Sequence, residues 1–252
     1  MINRYAMKVW YRDLLVWTRY WYQSILGMIG EPILYFVAIG YGLGSFIQGI
    51  DGVPYVEFLA PALVMSAIMN SASFETTYSS FTRMETQKTY YSIAVTPIHV
   101  EEIVAGEILW GATKSLLMGT IMLVAVAALG FVKTPLVLWA LPVMVLNGFL
   151  FASLGMLMTS FAKDYDFFTY YFTLALEPMF LFSGTFFPLS NLPYWAQQVA
   201  WVFPLTHPVF IIRSLFQAEV SVSLVYSFAW MLFLSVVIFV WTVKRMVRRL
   251  VV

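Results

Sequence analysis

Four carboxylates fall inside or at the ends of apolar runs: Glu31, Glu75, Glu107 and Glu177. A charge at mid-bilayer costs roughly 2.5–3.5 kcal/mol on insertion scales, so such a residue faces a cavity or a partner, or stays wet at an interface. Glu31-Pro32 and Glu177-Pro178 share one form, an acid directly before a helix breaker. The proline frees a backbone carbonyl and kinks the helix. Glu31, Glu75 and Glu177 are therefore candidates to line a substrate pathway. Lys114 follows Glu107 by seven residues, about two helical turns, so both could face inward without being a direct pair.

Other chemistry is poorly supplied. The two histidines, His99 and His207, are predicted on opposite membrane sides and cannot share a metal within one chain. Cysteine is absent, which removes disulfides, thiolate metal sites and thiol nucleophiles. Ser183, Ser190 and Asn191 lie near His207 in sequence, but no G-x-S-x-G elbow occurs. Gly106 and Gly111 precede Ala112-Thr113-Lys114-Ser115, yet a phosphate-binding loop needs lysine directly after its last glycine, between strand and helix. No catalytic residue, metal or resident cofactor is expected, and no ATP hydrolysis by the chain itself.

The elements that position these residues follow from composition. Of 252 residues 61% are hydrophobic and 11% charged, less than half the roughly 25% charge of soluble domains. A soluble fold of this size could not cover so much apolar surface, and the same excess excludes disorder. A net charge of +1 gives no basic face for nucleic acid. The expectation is an all-α integral membrane protein, with room for about six spans.

Along the chain, residues 3–21 read as an interfacial helix. Arg4, Lys8, Arg12 and Arg19 fall on a narrow arc opposite a wide aromatic one, and Asp13 interrupts the pattern. Spans are predicted at 24–46, 57–82, 103–130, 136–160, 167–187 and 222–243. The first is read as a retained helix, since no small-residue cleavage site precedes it. A polar stretch at 83–101 and a short Lys163-Asp164-Tyr165-Asp166 turn form inner loops. Segment 188–220 is apolar but broken by Pro188, Pro193, Pro204 and Pro208, which suits short re-entrant or interfacial helices. Basic clusters before the first span and after the last, at Lys244, Arg245, Arg248 and Arg249, place both ends inside. Gly27 with Gly30, Gly40 with Gly44, Ser71 with Ser73, and Ser153 with Gly155 fit close helix contact, either within the chain or at a dimer seam.

One stretch carries more specific information. Phe151-Ala152-Ser153-Leu154-Gly155-Met156 is followed by Tyr165-Asp166-Phe167-Phe168-Thr169-Tyr170-Tyr171 and by Phe182-Ser183-Gly184-Thr185-Phe186-Phe187-Pro188-Leu189. Leu192-Pro193-Tyr194-Trp195 and Pro204-Leu205-Thr206-His207, ahead of Arg213, complete it. This resembles the signature region of ABC-2 type transporter permeases, and within them NodJ-type lipo-oligosaccharide exporters.

The resemblance implies one transmembrane domain over 1–252, paired as a homodimer that binds two separate ABC ATPase subunits, which bring ATP and Mg. It implies a bacterial cytoplasmic (inner) membrane location, contact with membrane lipids and export of an amphiphilic substrate. Ile93-Ala94-Val95-Thr96-Pro97-Ile98 matches the family's coupling segment, which fits a cleft on the ATPase; the 163–166 turn would be a lesser contact. Phe182, Phe186, Phe187, Trp195, His207 and Arg213 fall in the segment that resembles its outer gate. Aromatic wealth suits sugar or lipid headgroups. The competing readings are a membrane-embedded enzyme using His207 on a lipid or glycan, and an ion-coupled secondary transporter, for which six spans without an inverted repeat are few.

Overall fold

The computed structural model describes residues 2–47, 49, 50 and 52–250, without the side chains of Gly27, Met28, Ile29, Glu31 and Leu43. The helices follow the apolar runs. Helix α1 (Arg4–Trp17) starts at Asn3, whose side-chain oxygen accepts the backbone N–H groups of Tyr5 and Ala6. It buries Ala6, Val9 and Asp13 and leaves Met7, Tyr11, Leu15 and Val16 exposed. Asp13 thus sits on the inward face and does not interrupt a lipid-facing arc.

Helix α2 (Trp21–Tyr35) contains Pro32 and passes into a π-helical segment, Phe36–Gly42. Helix α3 (Tyr55–Phe74) continues through π turns at Glu75–Ser79 and Thr82–Thr86, so that Tyr55–Thr86 is a 32-residue helix. The polar stretch expected at 83–101 therefore begins later: Arg83 belongs to this long helix. A short helix α4 (Thr89–Ala94) follows, entered through Lys88 in the left-handed region.

Helix α5 (Val100–Ala128) is capped by Glu102, whose carboxylate accepts the His99 backbone N–H at 2.9 Å. A 3-10 turn, Pro135–Trp139, leads into α6 (Ala140–Phe161). Helices α7 (Asp166–Tyr171) and α8 (Glu177–Phe182) are joined by a π segment, Phe172–Leu176. Then come α9 (Tyr194–Val202), α10 (Thr206–Phe216) and α11 (Val222–Leu250).

Among the described residues four helices are long and apolar enough to cross a membrane: Tyr55–Thr86, Val100–Ala128, Pro135–Phe161 and Val222–Leu250. Helices α9 and α10 meet at 95°, so the proline-rich stretch is bent. Helices α3, α5 and α6 pack together at the centre, α11 lies along α6, and α1 lies along α5.

Close helix approach depends on glycine at several contacts, among them Gly106 and Gly155. A Cβ on Gly106 would lie 2.6 Å from the Ala6 carbonyl oxygen and 2.6 Å from Val9 Cβ. A Cβ on Gly155 would meet Thr76 Oγ1, with Ser73 O at 3.1 Å. Gly40 and Gly44 face Val56, Leu59 and Tyr55 of the same chain. Gly106→Ala is expected to force α1 off α5 and destabilise by about 1–3 kcal/mol, the scale of overpacking. The unfolding midpoint in detergent checks this; an unchanged midpoint would show that α1 is free to shift.

Candidate functional site

The buried acids form an ion network where α1 meets the ends of the α3 helix and α5. Glu107, fully buried, accepts Arg12 Nη2 at 2.8 Å on Oε1. Its Oε2 accepts Ser80 Oγ at 3.0 Å and Arg83 Nε and Nη2 at 2.9 and 2.6 Å. Glu75 Oε1 accepts Trp110 Nε1 at 3.1 Å and pairs with Arg83 at 2.9 Å, while Oε2 accepts Lys114 Nζ at 2.7 Å. Arg12 also holds Asp13 Oδ1 through Nη2 at 2.6 Å.

Spacing explains the assembly. Glu107, Trp110 and Lys114 recur at three and four residues, one face of α5. Each carboxylate has at least two donors, as a buried charge requires. Burial, then the charge of Glu107, pushes the Asp13 carboxyl up to about 7 against the opposing pull of Arg83 and Arg12. Glu107 and Lys114 do not pair; Lys114 turns to Glu75 instead.

The interface helix is stitched to α5 along its length. Asn3 Nδ2 donates to Glu102 at 2.6 Å, Trp10 Nε1 donates to Thr113 Oγ1 at 3.0 Å, and Trp17 meets Trp110 edge-on at 6.1 Å. Beyond the network, Tyr90 is buried and anchors α4. Val95 is 86% exposed, and Thr96 closes the turn by donating its N–H and hydroxyl to Ile93 O at 2.9 and 2.6 Å. Ala94, Thr96 and Pro97 are also exposed, with Ile93 and Ile98 half-buried beneath them. The 163–166 turn lies alongside: the Tyr165 hydroxyl bonds to Thr82 and Thr86 at 2.9 and 3.1 Å. Arg249 of α11 pairs with Glu85 at 3.0 Å.

At the other end, Arg213 fastens the turn after α8. Its Nη2 donates to Gly184 O at 2.7 Å and to Phe58 O at 3.3 Å, and its guanidinium lies 3.7 Å over the Phe58 ring. Gly184 has φ +78°, which glycine adopts without strain. The Tyr55 hydroxyl donates to Phe186 O at 3.1 Å, and Phe186 packs on Phe180 at 4.9 Å. Phe182 and Phe187 meet edge-on at 6.5 Å. The His207 ring lies between Trp201 and Trp230, its Nε2 3.0 Å from Trp201 O. Trp195 is exposed on α9, and Glu177 is exposed at the start of α8. The Glu31 side chain lies outside the described residues. Among the described residues no group of three or more histidine and acidic side chains is placed to hold a metal.

Sequence reasoning therefore singled out Glu75, Glu107 and Lys114, but left Arg83 in the polar stretch and Arg12 and Asp13 on the interfacial helix without joining them to these acids, and did not single out Trp110. The three-and-four spacing on α5 was the available signal.

A helical membrane domain with these two ends has the makings of a transporter's transmembrane subunit. The chain belongs to the ABC-2 type transporter family, whose pattern matches residues 6–216. It is 43% identical to Nodulation protein J of Sinorhizobium fredii (strain NBRC 101917 / NGR234) over 205 residues, 81% of this chain and 78% of that one. Identity to Nodulation protein J of Rhizobium leguminosarum bv. viciae is 41% over 207 residues, 82% and 80% of the two chains. The inner membrane transport permease YadH of Escherichia coli (strain K12) is 28% identical over 203 residues, 80% and 78% of the two. The chain is an integral membrane protein and the transmembrane subunit of an ABC transporter.

Proposed function

We propose that the chain is the permease half of an exporter that moves an amphiphilic molecule, a lipid-linked or lipo-oligosaccharide or a drug-like compound, out of the bacterial cytoplasmic membrane. Two copies act with two separate ATPase subunits, which supply ATP and Mg. Six spans leave both termini cytoplasmic, with the α2 and α7–α8 segments as the first and fifth. The observation that carries this reading is the exposed turn at Val95, which follows the short helix that buried Tyr90 anchors. Ile93 through Ile98 enter the ATPase cleft, and its closure is transmitted through Tyr90 and the Arg83 ion pairs to α3 and α5. Glu31, Glu75 and Glu177 serve the substrate pathway, Glu75 from within the network. Phe182, Phe186, Phe187, Trp195, His207 and Arg213 form its outer gate, with Arg213 as the clasp.

The test is co-purification with a candidate ATPase, followed by ATP hydrolysis against added amphiphiles. The complex is expected to hydrolyse ATP faster with substrate present, and the chain alone not at all. Transport driven by a proton gradient without an ATPase would overturn the reading. Glu177→Gln is expected to leave the complex intact and to lower export about tenfold, equivalent to about 1.4 kcal/mol. Unchanged export would remove Glu177 from the pathway.

A further inference from the structure

A cavity of about 480 Å³ opens where α1 meets the inner ends of the α3 helix and α5. Arg12, Asp13, Val16, Tyr20, Arg83 and Trp110 contribute to its wall. Two polar atoms in that wall are buried without a hydrogen-bond partner, Arg12 Nη1 and Asp13 Oδ2. Asp13 is only 4% exposed. A buried polar atom left unpaired costs about 1–3 kcal/mol, and more beside a charge. The remaining atoms of both groups are committed to each other and to Glu107. The two atoms left over belong to side chains that line the cavity.

Charge narrows the occupant. Three cations, Arg12 on α1, Arg83 on the α3 helix and Lys114 on α5, face two carboxylates, Glu75 and Glu107. Those partners are joined by short ion pairs, and the Tyr20 hydroxyl is the other ionisable group in the wall. Asp13 is the group free to change state, with its carboxyl raised to about 7. Once it is protonated the cluster carries one net positive charge and gains a second donor. An acceptor-only, singly charged ligand satisfies both orphaned atoms, and a phosphodiester is such a ligand; arginine is suited to it.

The surroundings indicate where it comes from. Exposed Met7, Tyr11, Leu15 and Val16 share α1 with Arg4 and Lys8, the composition of a helix lying at headgroup depth over anionic lipid. Val16 and Tyr20 belong to both that exposed surface and the cavity wall. We propose that this cavity binds the phosphodiester headgroup of an inner-leaflet lipid, with Arg12 Nη1 and Asp13 Oδ2 holding its free oxygens. The assignment rests on the topology given under the proposed function. A lipid held there ties α1 to the ion network and so to the segment that meets the ATPase.

Native mass spectrometry of the permease–ATPase complex in detergent tests this with dioleoyl phosphatidylglycerol. Retention is expected to exceed that of neutral dioleoylglycerol and to fall about tenfold between pH 6 and pH 8, as Asp13 loses its proton through about 7. Asp13→Asn keeps a donor at the same place, so it should abolish the pH dependence and bind about tenfold more tightly than the unaltered chain at pH 8. Arg12→Gln should weaken binding at both pH values; if that variant fails to fold, Asp13→Asn alone decides. Equal retention of dioleoylglycerol, or an Asp13→Asn variant no tighter at pH 8, overturns the proposal. Displacement by millimolar inorganic phosphate would make the free ion the ligand and overturns the lipid assignment. ATPase association is scored in the same spectra, so loss of lipid from an intact complex refutes the site and leaves the exporter reading standing.

Discussion

Arg83→Leu is expected to abolish accumulation of the folded permease. Arg83 gives two nitrogens to Glu107, at 2.9 and 2.6 Å, and pairs with Glu75 at 2.9 Å. Its removal leaves Glu107 to Arg12 and Glu75 to Lys114, with both carboxylates still buried. Breaking a buried pair from one side costs about 3–5 kcal/mol, because the surviving charge keeps its desolvation penalty. That is a large part of a typical stability of about 5–15 kcal/mol. Arg83→Lys should fall between, since an ammonium is a point charge and cannot serve two carboxylates in fork geometry. Membrane expression level and the unfolding midpoint of purified protein are the readouts. A leucine variant within about 1 kcal/mol of the unaltered chain would mean that water, not protein, solvates these acids.

The second large effect spares the fold. Val95→Asp combined with Thr96→Asp places two carboxylates on a turn that is exposed in the free chain. Surface substitutions of this kind change stability by about 0.5 kcal/mol or less. If they enter the ATPase cleft as proposed, the same positions lose water there, and an unpaired charge is penalised by about 2–5 kcal/mol. Pull-down of the ATPase should drop at least about thirtyfold, and stimulation of ATP hydrolysis by substrate should vanish. If both persist while the variant folds normally, residues 93–98 do not couple. The two variants separate the parts of one connection: the first removes its foundation, the second its contact.

The helices were legible because hydropathy is a one-dimensional property. Apolar runs and the prolines at 188–208 marked where the chain runs helical or bends: among the described residues the spans predicted at 57–82, 103–130, 136–160 and 222–243 fall on long apolar helices, and the 95° break between α9 and α10 lies in that proline-rich stretch. Membership in the ABC-2 family was legible in the 151–213 motifs. Partner choice was not, since it depends on which helix faces which. Lys114 shares a face with Glu107, yet a neighbouring helix brings Glu75 closer. Arg83 follows an apolar run and so reads as the start of a loop; its burial depends on Glu75 and Glu107 meeting it from two helices. Asp13 looked like a flaw in an amphipathic pattern because the lipid-facing side was taken as the only apolar one. Helix α1 has a second side, which packs on α5 and buries Asp13.

The π turns at Glu75–Ser79 and Thr82–Thr86 flank Ser80 and Phe81, with Glu75 and Arg83 inside them, and lie just before α4. Each such turn stores one surplus residue, because its hydrogen bonds reach back five positions rather than four. The surplus is mobile in principle: moving it along the helix exchanges bonds one for one and leaves their number unchanged. Only the residues between its old and new positions then rotate, by about 100°, the angle of a single α-helical residue. A turn moved past Arg83 would re-aim that one side chain while the helix on either side of it keeps its place.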